Sequence, residues 1–155
     1  MIGLSAVMAL PALASATAEA KVRNGDKTIT VFKSPFCGCC EDWADAMRNA
    51  GYTVETNDME DLASIKKQAG VSSELEACHT AIIGGERKYT LEGHVPIQAV
   101  EKLMTERPDI RGIATPGMPM GSLGMDYDPA AKYTVYTFTS RSDEKPVIFY
   151  EAGED

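Results

Sequence analysis

The residues able to do chemistry in this sequence are concentrated in one tetrapeptide, Cys37-Gly38-Cys39-Cys40, which holds three of the four cysteines. Cys37 and Cys40 stand in C-x-x-C spacing. At a strand-to-helix turn that spacing sets the first thiol at a helix N-terminus, where unpaired backbone N–H groups and the helix dipole stabilise a thiolate. Such a thiolate serves as a nucleophile or as a metal ligand. Cys39 weighs toward metal, because a dithiol enzyme needs two sulfurs and gains only a competing disulfide partner from a third. Two structural disulfides are the ordinary use of four cysteines in an oxidising compartment, but a bridge between the neighbours Cys39 and Cys40 would be strained and would tie nothing together. Three sulfurs in one turn suit Cu(I), which accepts two or three thiolates and forms thiolate-bridged clusters. Structural zinc sites usually join two separated knuckles, so zinc is the less favoured ion.

Further soft donors lie downstream. Cys78 and His79 are adjacent, His94 follows in Glu92-Gly93-His94-Val95-Pro96, and Met118, Met120 and Met125 share a loop rich in Pro and Gly. A lone histidine such as His94 is open to two readings, a ligand or a packed residue with its nitrogens satisfied. The methionines are equally open: their thioethers are soft donors for Cu(I), or they form an apolar lid over the cluster.

These residues need elements to hold them. Thr28–Phe32 alternates and is β-branched, predicting a strand, and Ser34-Pro35-Phe36 turns the chain into the cysteines. Glu41–Ala50 reads as a helix closed by Gly51, with Trp43 expected in the core and Glu41 and Asp42 complementing the dipole. Tyr52–Thr56 is a second strand. Asp61–Ala69 is a second helix with Asp61 near its N-cap and Gly70 after its end. Thr80–Ile83 and Lys88–Leu91 form a hairpin around Gly84-Gly85, and Pro96–Arg107 is a third helix with Pro108 beyond it. Thr115–Met125 is too rich in Pro and Gly to be regular. Tyr133–Thr139 and Val147–Tyr150 form a terminal hairpin. The order β-α-β-α-β-β-α, with the cysteines between the first strand and first helix, is thioredoxin-like: an α/β single domain with a mixed sheet, flanking helices and a C-terminal hairpin. The cysteine loop then falls at the C-terminal edge of the sheet. In thioredoxin and glutaredoxin folds the residues just before the third strand face the C-x-x-C loop, and a cis-proline usually occupies that turn. Here the stretch is Ala77-Cys78-His79-Thr80, so Cys78, with His79 beside it, is expected to face the cluster.

At 155 residues the chain holds one ordinary domain, and its net charge of −8 with no basic stripe argues against nucleic acid as a partner. Met1–Ala18 carries no charge and contains the apolar run Ile2–Leu13, a signal-peptide profile although no Lys or Arg precedes it. Cleavage after Ala16 or Ala20 satisfies the small-x-small rule. The preferred division is a leader over 1–20 and a metal-binding domain over 21–155, in place of a buried N-terminal helix. The run is broken by Pro11 and is too short to span a bilayer, so no stable membrane insertion is expected.

Ser34-Pro35-Phe36-Cys37-Gly38-Cys39-Cys40 with Trp43, Ala77-Cys78-His79-Thr80-Ala81, Glu92-Gly93-His94-Val95-Pro96 and Pro116-Gly117-Met118-Pro119-Met120-Gly121-Ser122 together resemble the CopG copper-resistance family. The resemblance runs from about Thr28 to about Tyr150. It departs at Leu123, where a proline is expected. It implies export to the periplasm, and copper bound by Cys37, Cys39, Cys40 and Cys78 with His94 or His79 completing or flanking the site. It also implies that several copper ions are held as a thiolate cluster, with cycling between oxidation states. Copper chaperones or efflux components are the implied partners. A thiol-disulfide oxidoreductase with Cys37 as nucleophile and Cys40 as resolving thiol, a copper oxidoreductase, and a structural zinc protein are the alternatives.

Overall fold

The computed structural model describes residues 24–141 and 143–154; the leader expected over 1–20 lies outside them. A 3-10 turn (Asn24–Lys27) leads into β1 (Thr28–Lys33), α1 (Gly38–Asn49), β2 (Thr53–Asp58), α2 (Ala63–Ala69), β3 (Thr80–Ile83), β4 (Tyr89–Glu92), α3 (Ile97–Glu106), β5 (Gly112–Ala114), β6 (Tyr133–Phe138) and β7 (Val147–Ala152). All seven strands form one mixed sheet in the order β2-β1-β3-β4-β5-β6-β7. β1–β2 and β4–β5 are parallel, and the other neighbours are antiparallel. This is the thioredoxin-like α/β domain expected from the element order, with the terminal hairpin extending the sheet.

Side chains two apart on a strand share a face, and the two faces are covered by different helices. Ile29 and Val31, Ala81 and Ile83, Tyr89 and Leu91, and Ile113 pack with Trp43, Ala44 and Met47 of α1 and Ala99, Val100 and Leu103 of α3. On α1 the buried positions are Cys40, Trp43, Ala44 and Met47, an i, i+3, i+4, i+7 stripe. Ala114 and Phe138 pack with Ala69, Val71 and Leu75 at the end of α2 and beyond it.

Most boundaries shift by one or two residues from the sequence expectation, β2 for example running Thr53–Asp58 and not Tyr52–Thr56, and the larger or more informative differences are these. α1 begins at Gly38, not Glu41, so Cys39 and Cys40 lie within its first turn. α2 begins at Ala63, and the cap is supplied from outside, the Asp61 carboxylate accepting the Ala63 N–H at 2.8 Å. β4 runs one residue further than expected, to Glu92, and β5 and the opening 3-10 turn had no sequence signal. Gly112–Ala114 is three residues long, and its pairing with both β4 and β6 fixes it as a strand.

Candidate metal centre

Strand directions bring the chemistry to one end of the sheet. β1 ends there and its turn leads to Cys37. β3 runs antiparallel to β1, pairing Phe32 with Thr80, so it starts there, just after Cys78 and His79. β4 ends opposite Thr80 and leads to His94; β5, parallel to β4, ends beside Glu92 and leads into the methionine loop. Cys37 is the N-cap of α1 and makes no side-chain capping bond, so the helix's first N–H groups keep their partial positive charge beside the sulfurs. The turn before it is closed by the Cys37 N–H donating to the Ser34 carbonyl at 3.1 Å and the Phe36 N–H donating to Ser34 Oγ at 3.3 Å.

The sulfurs of Cys37, Cys39, Cys40 and Cys78 lie within 4.8 Å of one another, and a second group, Cys40, Cys78, His79 and His94, meets the same limit. Cys40 and Cys78 belong to both. Cys78 Sγ is 3.0 Å from His94 Nε2 and 3.5 Å from His79 Nδ1, and Cys37 Sγ is 3.5 Å from Cys39 Sγ. Cys37 and Cys40 are joined as a disulfide, with Cys39 and Cys78 free. The expectation of clustered cysteines in place of two staples thus needs one correction: a single bridge is present, spanning C-x-x-C and not linking neighbours. Ligation by all four sulfurs requires that bridge to be reduced.

Burial sets the protonation states. His79 is fully buried and its pKa falls to about 3, first because burial disfavours its cation and then because His94 and Lys66 stand near. Burial also lowers His94. Both imidazoles are neutral at pH 7 and hold lone pairs for a metal. Burial, followed by neighbouring Cys39, which also hydrogen-bonds to it, pushes the Cys78 thiol up to about 12 against the pull of Lys66. Cys78 is therefore a thiol in the metal-free protein, and metal binding must release its proton. Ser122 Oγ donates to the Pro119 carbonyl at 2.6 Å, so it is left to accept from His94 Nδ1 at 3.4 Å. This assigns the Nδ1–H tautomer and turns the free Nε2 lone pair toward Cys78. His79 Nε2 is buried with no hydrogen-bond partner. A neutral imidazole with Nδ1 3.5 Å from Cys78 Sγ fits a thiophilic metal ion.

One consequence concerns acid. The unfolded chain takes up a proton at His79 near pH 6.5 and the folded one only near pH 3, so the metal-free protein loses stability as pH falls through that window. Between pH 7 and 5 the histidine accounts for a loss of roughly 2 kcal/mol, at about 1.4 kcal/mol per unit. Urea unfolding of wild type and His79→Phe at both pH values checks this; the variant should show the smaller drop.

Trp43 occupies its expected core position and also touches the site. Its Nε1–H donates to the Val95 carbonyl at 2.9 Å, and its ring centroid lies 4.6 Å from that of His79, which in turn lies 5.4 Å from that of His94. Met118 and Met120 are 54% and 70% exposed, so they do not form the apolar seal that was one of their two readings. Their loop is nonetheless anchored to the site. Gly117 bridges to Ala77, and Gly124, at φ +90°, lies so near α1 that a Cβ there would stand 2.6 Å from the Cys39 carbonyl oxygen. Sequence reasoning missed Ser122, Lys66 and Glu92 as supports. A charged residue ending an otherwise apolar strand, Tyr89-Thr90-Leu91-Glu92, was the available signal for the last.

Fold and site together define a thioredoxin-like protein with a thiol–imidazole cluster built across three chain segments. A protein-family model described as "Protein of unknown function, DUF411" matches residues 75–125. Two solved structures, "Copper resistance protein copG- Form 1" and "Form 2", are each 34% identical to the chain, with TM-scores of 0.70. They cover 80% of this chain and 95% and 96% of their own. A search of curated proteins found no match. The chain belongs to the CopG copper-resistance family. No helix among the described residues is long and apolar enough to cross a membrane.

Proposed function

We propose that this protein is a periplasmic copper-binding protein of copper resistance, with residues 21–155 as its mature domain. Reduced Cys37, Cys39, Cys40 and Cys78 hold Cu(I), His94 and His79 complete the site, and Met118 and Met120 offer exposed thioethers at its rim. The observation that carries this reading is the convergence of four sulfurs within 4.8 Å, one of them from a separate chain segment. Thiolates and thioethers prefer a soft monovalent ion, and crowded sulfurs bridge several such ions more readily than they close one tetrahedron. Loading requires two electrons and two protons from an external dithiol to open the Cys37–Cys40 bridge, after which copper displaces the thiol protons. Chaperones and efflux components of the same compartment are the partners this role calls for.

Anaerobic reconstitution of the reduced protein with Cu(I), followed by elemental analysis, tests the reading. More than one copper per chain is the expected result, and zinc at one per chain with no copper uptake would overturn it. The Cys37–Cys40 disulfide favours a second reading, a thiol-disulfide or copper oxidoreductase in which this pair carries two electrons. Turnover of a disulfide substrate, or sustained Cu(I)/Cu(II) cycling in a competent redox mixture, separates it from passive binding.

A further inference from the structure

Beneath Cys78 and His79, on the α2 face of the sheet, lies a polar cluster that supplies no metal ligand. Glu92 is fully buried, and its carboxylate accepts three hydrogen bonds: from Lys66 Nζ and from the Ala77 N–H at 2.8 Å on Oε1, and from Thr80 Oγ1 at 2.6 Å on Oε2. Lys66 Nζ also donates to Thr80 Oγ1 at 3.2 Å. Ala77 and Thr80 flank Cys78 and His79. The backbone completes the frame, because the Gly93 N–H donates to the His79 carbonyl at 2.9 Å and the Thr115 N–H to the Glu92 carbonyl at 2.9 Å. A buried carboxylate against a buried ammonium gives little net stability, since both lose their hydration, but it holds its partners in one geometry.

We propose that Glu92, charge-balanced by Lys66, is the positioning residue of the site: its carboxylate pins both flanks of Cys78–His79 so that their side chains face the α1 cysteines. Through its bonds to Ala77 and Thr80, this side-chain clamp holds the segment that a cis-proline shapes in a dithiol enzyme. The role rests on the copper-binding reading for its purpose, but the clamp has its own metal-free signature.

Glu92→Gln, which keeps an acceptor but leaves Lys66 unbalanced, is examined with Thr80→Val as a milder variant that serves if the first does not fold. In the metal-free protein, amide hydrogen exchange at residues 77–80 should rise about tenfold while that of Val31 in β1 stays within about twofold, as loss of a charged hydrogen bond predicts. Competition against a chromophoric Cu(I) chelator should then show about tenfold weaker copper retention in the variant, and under about twofold when Cys78 is already alanine. Equal acceleration at Val31, or equal weakening in both backgrounds, makes Glu92 a general stability residue and overturns the proposal; so does unchanged exchange at 77–80. If wild type takes up no copper, the functional reading fails while the exchange data still decide the clamp.

Discussion

Cys78→Ala is expected to cost the reduced protein at least about 100-fold in Cu(I) affinity, more than the 10–100-fold typical of changes to residues that only orient ligands. Cys78 is one of the two sulfurs shared by both donor groups and lies 3.0 Å from His94 Nε2, so its loss removes the one sulfur from outside the cysteine turn and leaves Cys40 alone to join the histidines to the other sulfurs. Titration with a chromophoric Cu(I) chelator, with elemental analysis of what remains bound, measures it. His94→Ala should cost less, because four sulfurs stay. If copper retention survives Cys78→Ala unchanged, the site is confined to the Cys37-Gly38-Cys39-Cys40 turn and the cross-fold assembly argued above is wrong.

The second large effect is structural. Trp43→Ala is expected to destabilise the fold by about 3–5 kcal/mol, the usual cost of deleting a fully buried aromatic side chain. The loss combines the cavity, the contact with the His79 ring and the unpaired Val95 carbonyl left behind in the core. Trp43→Phe keeps most of the volume but not the N–H, and should cost about 1–3 kcal/mol. Denaturant unfolding followed by circular dichroism checks both, since Trp43 is the chain's one tryptophan and the tryptophan fluorescence is lost with it. A cost for Trp43→Ala no larger than for Trp43→Phe would show that the hydrogen bond, not the packing, carries the residue.

Much of this was legible in the residues because the signals were local. Periodicity and punctuation marked β1, α1, β2, α2, the β3–β4 hairpin, α3 and the terminal hairpin, since alternation, Gly51, Gly70 and the prolines at 96 and 108 act within a few positions. Cys78 was placed against the cysteine turn by likeness to thioredoxin and glutaredoxin folds, and the structure brings it there. What could not be read is non-local. β5 becomes a strand through neighbours more than a dozen residues away, and the Lys66–Glu92 pair spans 26 positions with no pattern linking its members. The α1 start was set too late because Gly and Cys are poor helix formers, whereas the open N-terminal turn at Cys37 gives the helix its true beginning.

The centre is assembled from residues 37–40, 78–79 and 94, supported by Ser122, with the rest of α1, β2 and α2, then the β3–β4 hairpin, then α3 and β5 between them. That separation fixes an order of events along the folding path. The apolar core is built from residues that are not candidate ligands, unlike a zinc finger whose ligands nucleate it. Before collapse the cysteine turn is a three-sulfur fragment with no partner from 78 or 94. On the copper-binding reading the full donor set exists only in the finished fold, while an emerging or unfolded chain offers copper the thiols of the turn without Cys78, His79 or His94 beside them. To the degree that the native chain binds copper more tightly than the unfolded one, each ion taken up also draws the population toward the folded form by mass action.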